Sequence, residues 1–330
     1  MDLGLFMKNI NNDIKDKKFK SVYLLYGEEG YLVKLYKDKL IEAITSGDPM
    51  NTMKYEGDKI DIISLIDDIN TAPFFADHRL ILVENTNLFK KANDDLVEAI
   101  GNVPEQNVVV FVEKEVDKRG KLFKQIKSKG YPCELNYLSE SDLFNWTLKQ
   151  INGQNKKISK DTLNLFLSKT DGDMYMVSNE IAKLVAYVGD REVIESSDVE
   201  VLCQAPVVGK IFDMTDAMSV KNKKKTMELY YDLIAAKEAP AYILTMLIRQ
   251  FDLLLTTKEL ADRGYGVETI SKEMKIHSFV IKKCFNQSKN FDGKTLKLAY
   301  KASVKMMEKI RSGLMDEKVG VEMLLMKYSG

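Results

Sequence analysis

The sequence predicts a multidomain chain of the α/β plus all-α class: a parallel-sheet domain first, then two helical parts. Three observations carry that prediction. Short apolar runs alternate with helical periods from Ser21 to about Asn136. After Ser139 no strand-like run of comparable quality follows. The charge also changes sign along the chain, with 28 Lys/Arg against 34 Asp/Glu in residues 1–210 and 21 against 15 in residues 211–330.

The first strand is VYLLYG at 22–27, and YLVKLYKDKLIEAI after it has helical spacing. MKYEG at 53–57 precedes the helix ISLIDDIN, RLILVE at 79–84 precedes NDDLVEAIGNV, and VVVFVE at 108–113 precedes KRGKLFKQIKSKG, which runs into YPCELN at 131–136. Runs that are apolar at consecutive positions are buried on both faces, which means parallel strands with helices on either side of the sheet. Beyond them, SESDLFNWTLKQING opens on a serine cap, SKDTLNLFLSKTDGD ends in Asp-Gly, and MYMVSNEIAKLVAYVGD ends in Gly-Asp, giving three short helices. Pro206 follows a fourth helix, SSDVEVLC, and the Pro-Val-Val-Gly stretch reads as a hinge into a last block of long amphipathic, Met-rich helices. The expected parts are therefore 1–139, 140–207 and 208–330.

Composition excludes several classes. With 330 residues, 45% of them hydrophobic, the chain can bury more than one core and is not disordered. No run approaches the roughly 20 apolar residues of a membrane span. The apolar start MDLGLFMKNINNDIKDKK has no preceding basic region and no small-residue cleavage site, so a cytoplasmic protein is expected. Cys133, Cys203 and Cys284 are too far apart for a metal pair or a disulfide framework, and two histidines, His78 and His277, make histidine chemistry a poor expectation. No metal site and no cofactor are expected.

The turn Gly27-Glu28-Glu29-Gly30 lies where an α/β nucleotide-binding protein holds phosphates, but its chemistry does not suit them. A phosphate loop needs GxxxxGK followed by Ser or Thr, and Lys34-Leu35 does not supply that pair. Two carboxylates here suit the helix dipole and repel a polyphosphate. At the end of the third strand only Glu84 stands where a hydrolytic site prefers Asp-Glu.

The most informative stretch is Ala72-Pro73-Phe74-Phe75, between a helix stopped by proline and the strand that starts at Arg79. Adjacent residues cannot share one face of a strand, which leaves two readings for the aromatic pair. It is an exposed anchor for a partner's apolar pocket, or it packs under the helix end, the commoner fate of phenylalanine. Residues 267–285 have the spacing of a helix-turn-helix, with Lys282 and Lys283 on the second helix as candidates to face DNA, but Phe279, Val280, Ile281 and Phe285 fit a packed helix pair better. KNKKK at 221–225 reads as a solvated helix start.

Taken together, VYLLYGEEGYLV, TAPFFADHRLILVEN, KIFDMTDAM, LIRQFDLLL and ISKEMKIHSFVIKK, in this order and spacing, resemble the delta subunits of bacterial DNA polymerase III clamp loaders. The resemblance covers nearly the whole chain. It implies a clamp-loader ATPase-like domain that keeps the fold without the ATP site, a small helical domain, and a helical collar that joins a ring of loader subunits. It further implies a protein that binds and opens the ring-shaped sliding clamp for loading onto primed DNA, pressing a hydrophobic pair into a pocket on the clamp. Phe74 and Phe75 match that pair, with Ala72 and Pro73 flanking it. The partners implied are the sliding clamp (beta subunit), the other loader subunits (delta prime, tau/gamma) and primed DNA within the assembly, with no membrane and no catalytic residue. A diverged P-loop-type ATPase and a helix-turn-helix regulator are the alternative readings.

Overall fold

Strands whose every residue is apolar have no solvent face to offer, and this dictates which of them fill the middle of the sheet. The structure is a computed structural model that describes residues 3–90, 93–170, 172–203 and 207–330. The chain divides into two compact units, Met1–Tyr137 and Leu138–Gly330.

The first unit runs α1 (Leu3–Asp16), β1 (Val22–Tyr26), α2 (Gly30–Thr45), β2 (Thr52–Glu56), α3 (Ile62–Asn70), β3 (Arg79–Glu84), α4 (Asp94–Gly101), β4 (Asn107–Glu113), α5 (Lys121–Lys129) and β5 (Tyr131–Glu134). Its five strands are all parallel in the order β2-β3-β4-β1-β5. β1 and β4 are buried along their whole length, whereas β2, at one edge, is at most half-buried from Met53 onwards. Val22, Leu24, Ile81, Val109 and Phe111 join Leu65 and Ile69 of α3, Leu96 and Ile100 of α4 and Ile126 of α5 in one core on one face of the sheet. The helix α1 goes beyond the sequence reading, which took the start of the chain only as an apolar patch.

The second unit runs α6 (Glu140–Gly153), β6 (Lys157–Ile158), α7 (Lys160–Lys169), α8 (Met174–Val188), β7 (Val193–Ile194), α9 (Ser196–Leu202), α10 (Val207–Ser219), α11 (Lys223–Ala235), α12 (Pro240–Asp262), α13 (Val267–Met274), α14 (Ser278–Ser288), α15 (Gly293–Arg311) and α16 (Glu317–Tyr328). The expected serine cap forms at Ser139, and Ser159 and Asp173, not singled out in the sequence, act alike: each accepts a backbone N–H from the first turn of the helix that follows. Two details correct the sequence reading. β6 and β7 form a short parallel pair in a region read as helical throughout, because two-residue strands leave no periodicity to detect. The expected hinge at 206–209 does not continue into a loop, since Val207–Gly209 is the first turn of α10; Pro206 itself lies outside the described residues. Within this unit buried residues of α10–α12 and α14–α16 make a core of their own, which includes Leu244, Leu247, Phe251 and Leu254 of α12.

Candidate functional site

Helix α3 begins on Asp61, whose carboxylate accepts the Ile63 N–H at 3.0 Å and the Ser64 hydroxyl at 2.7 Å. Those donors, Ser64 first, hold the Asp61 carboxyl below its usual range. The helix ends at Asn70, two residues before the proline-preceding Ala72, and its last carbonyls need partners. Asn107, the fully buried first residue of β4, supplies them: its Nδ2 donates to the Ile69 and Thr71 carbonyls at 2.8 Å each. The last full turn is also tied to β3, where the buried Arg79 donates to Asp68 Oδ1 at 2.6 Å.

A second asparagine fixes the next stretch of chain. Asn51, just ahead of β2 and 1% exposed, accepts the Phe74 N–H on Oδ1 at 2.7 Å and donates Nδ2 to the Phe74 carbonyl at 2.9 Å. The same Nδ2 donates to Asp48 Oδ2 at 2.7 Å, which with the Met50 N–H keeps the Asp48 carboxyl below its normal range. Through its own carbonyl Asn51 accepts the Leu80 N–H at 2.8 Å, so the clamp on Phe74 is continuous with β3. A primary amide that both donates and accepts in this way does what a neighbouring strand would do, at one residue only.

The result is a rigid main chain that presents apolar side chains to solvent. Phe74 is 53% exposed and Phe75 97%, with their rings edge-to-face at 4.6 Å. Phe75 adopts a left-handed backbone (φ +50°), a conformation that costs a bulky residue about 1 kcal/mol or more. Ala72 is exposed and Pro73 half-buried beside them. Fully burying a phenylalanine is worth about 1.5–3 kcal/mol, and this pair leaves much of that unrealised within its own chain. Of the two readings open from the residues, the exposed one describes the molecule.

The opposite end of the sheet is different in kind. Gly27 has φ +134°, and a Cβ there would lie 2.4 Å from the Leu135 carbonyl oxygen, so only glycine lets β1 turn beneath β5. The Glu29 N–H donates to that carbonyl at 2.9 Å, and the Glu29 side chain, 6% exposed, turns back to accept the Tyr31 N–H at 3.1 Å as the cap of α2. A carboxylate of the protein itself therefore occupies the anion position at this helix start. Glu84, at the end of β3, is bridged by Lys37 at 2.7 Å. Lys34, the nearest lysine to a phosphate-loop position, bridges Asp38.

The helix-turn-helix spacing corresponds to α13 and α14, but α14 faces inward. Ile281, Cys284 and Gln287 are buried, and Gln287 donates to the Phe212 carbonyl at 3.0 Å and accepts from Gln250 at 3.0 Å. Lys282 bridges Glu140 at 2.8 Å, and the Lys283 ammonium lies over the rings of Phe279 and Phe212 at 4.7 and 5.6 Å. His277 caps α14, its Nδ1 accepting the Phe279 N–H, and burial lowers its pKa. All three cysteines are buried, which pushes their thiols up to about 12 and away from thiolate chemistry. Among the described residues no cluster of three or more His, Cys, Asp or Glu could hold a metal ion, and no helix is long and apolar enough to cross a membrane. Sequence reasoning missed Asn51 and Asn107, the two residues that build the aromatic platform, because their partners lie 23 and 36–38 positions away.

Comparison with known proteins gives two profile matches along the chain. The profile described as "DNA polymerase III, delta subunit" matches residues 23–135, and that described as "DNA polymerase III delta subunit, C-terminal domain" matches residues 209–328. The chain is 26% identical over 329 residues to DNA polymerase III subunit delta of Bacillus subtilis, covering 95% of this chain and 94% of that one. It is 23% identical over 266 residues to a probable DNA polymerase III subunit delta of Aquifex aeolicus, covering 77% and 74%. In fold it is similar to the solved structure of the Bacillus subtilis DNA clamp loader delta protein, with a TM-score of 0.86 at 24% identity over 98% of this chain and 99% of that chain.

Proposed function

Because the chain belongs to the DNA polymerase III delta subunit family, a component of the polymerase III holoenzyme with a role in clamp loading, we propose that it is the subunit that binds the sliding clamp (the beta subunit) and opens it. The observation that carries this reading is the Phe74–Phe75 pair, exposed on a turn that two buried asparagines hold rigid. A preorganised aromatic anchor enters a partner's apolar pocket without the ordering cost that a flexible loop would bear. Ala72 and Pro73 form the flank of the wedge.

Opening follows from differential affinity. If the wedge fits the clamp pocket better when the ring interface beside it is parted, binding shifts the clamp towards the open state by the ratio of the two affinities. The chain does this as a mechanical component, with no catalytic site and no cofactor of its own; Glu29, as the cap of α2, stands against a phosphate at residues 27–35. The first unit then acts as the clamp-binding, ATPase-like domain. Residues 140–207 form a small helical domain, and 208–330 form the collar that joins delta prime and tau/gamma in a cytoplasmic assembly on primed DNA. The test uses the full chain and purified sliding clamp. Complex formation, together with release of clamps preloaded on circular DNA without ATP, is the expected result, and a chain that neither binds nor releases the clamp contradicts the proposal.

A further inference from the structure

The basic excess of residues 211–330 is concentrated in a single helix. α15 carries Lys294, Lys297, Lys301, Lys305, Lys309 and Arg311 against one acid, Glu308. The five lysines recur at intervals of three or four residues, which places them on one face of the helix, and all five are exposed. None of them makes a salt bridge or a side-chain hydrogen bond among the described residues, although Lys294 lies near the carboxylate of the helix cap Asp292. Elsewhere in the unit exposed lysines do find acids, as in Lys282–Glu140 and Lys225–Glu228. The buried face of α15, through Leu296, Ala299, Ser303 and Met307, is anchored in the helical core, so the charged face is held in place.

We propose that this face of α15 is a binding site for the phosphates of duplex nucleic acid. Like charges at successive helical turns repel one another, and a polyanion removes that repulsion while releasing its own counterions. From Lys294 to Lys309 the stripe is about 22 Å long, greater than the roughly 12 Å width of the major groove, so a helix laid across the groove reaches phosphates of both strands. The contact carries no base information and is sequence-independent. The duplex here is the primed DNA of the proposed function, and the inference rests on that reading for its biological setting alone.

The experiment measures binding of the full chain to labelled primed duplex and to labelled single strand across a salt series, for the wild type, for Lys297→Gln/Lys301→Gln/Lys305→Gln, and for the matching Lys→Arg triple. Losing three phosphate contacts should flatten the log–log salt slope on duplex by about 2.7, given about 0.9 per contact, and weaken binding at low salt at least tenfold. The arginine triple should keep the wild-type slope. An unchanged slope and affinity in the glutamine triple overturns the proposal, as does a wild-type chain that shows no salt-dependent DNA binding or a larger loss on single strand than on duplex. Clamp binding by the same variants should be unchanged. A chain that binds DNA through α15 yet fails to bind the clamp would overturn the proposed function and leave this site standing.

Discussion

The two ends of the parallel sheet in the first unit put polar side chains to opposite uses. At the C-terminal ends of the strands, Glu29 turns back to cap its own helix and Lys37 neutralises Glu84, so local charge is satisfied within the protein. At the N-terminal ends, Asn107 satisfies main-chain carbonyls and Asn51 satisfies the Phe74 main chain and the Asp48 carboxylate, and the side chains of Phe74 and Phe75 are left facing solvent. One end is closed on itself and the other is built to be completed by something else. An exposed apolar pair on a main chain held by buried hydrogen bonds is a stronger pointer to a binding surface than exposure alone, because single exposed apolar residues are ordinary.

The comparison breaks most visibly if the supports are removed. Asn107→Leu leaves the Ile69 and Thr71 carbonyls without their donor, which should destabilise the fold by about 2 kcal/mol. The loss is moderated because Asn107 Oδ1 is itself buried without a partner, and leucine removes that cost. Denaturant unfolding reads this effect as a lower midpoint at unchanged slope. Asn51→Ala should cost less, about 1 kcal/mol, since the Phe74 main chain is close enough to solvent to find water. Its larger consequence is a looser wedge, so clamp affinity should fall several-fold more than stability alone explains, as titration calorimetry against the clamp would show.

Smaller effects sharpen the contrast from the closed end. Glu29→Gln keeps an oxygen to accept the Tyr31 N–H and removes only the charge at the start of α2, so thermal unfolding should shift by no more than about 0.5 kcal/mol. Clamp binding should not change, and no ATP turnover should appear with or without primed DNA, because Lys34 and Lys37 remain committed to Asp38 and Glu84. In the second unit, Lys282→Ala with Lys283→Ala should be nearly silent in DNA binding. Lys282 is held by Glu140 in an exposed pair and Lys283 by two aromatic rings.

What could be read from the sequence follows the range of the interactions concerned. The strands β1, β3 and β4 were legible because burial on both faces forces consecutive apolar residues, and the cap Ser139 was legible because a cap acts within three residues. Gly27 and the two glutamates after it pointed to a carboxylate-capped helix start, and Glu29 caps α2. The exposure of Phe74 and Phe75 was not decided by their neighbours, since it depends on an amide 23 residues upstream. The β6–β7 pair was too short to leave a pattern, and the lysine stripe of α15 becomes a site only once its other face is seen to be buried.

The central claim, that Phe74 and Phe75 serve a partner and not the fold, is tested most directly by measuring clamp affinity and thermal unfolding side by side on Phe74→Ala/Phe75→Ala. A central aromatic anchor typically contributes about 2 kcal/mol or more, so the pair should weaken the clamp complex well over tenfold while the melting transition stays near that of the wild type. Core phenylalanines would instead cost about 3–5 kcal/mol of stability each. A collapsed melt, or an affinity left intact, would contradict the account.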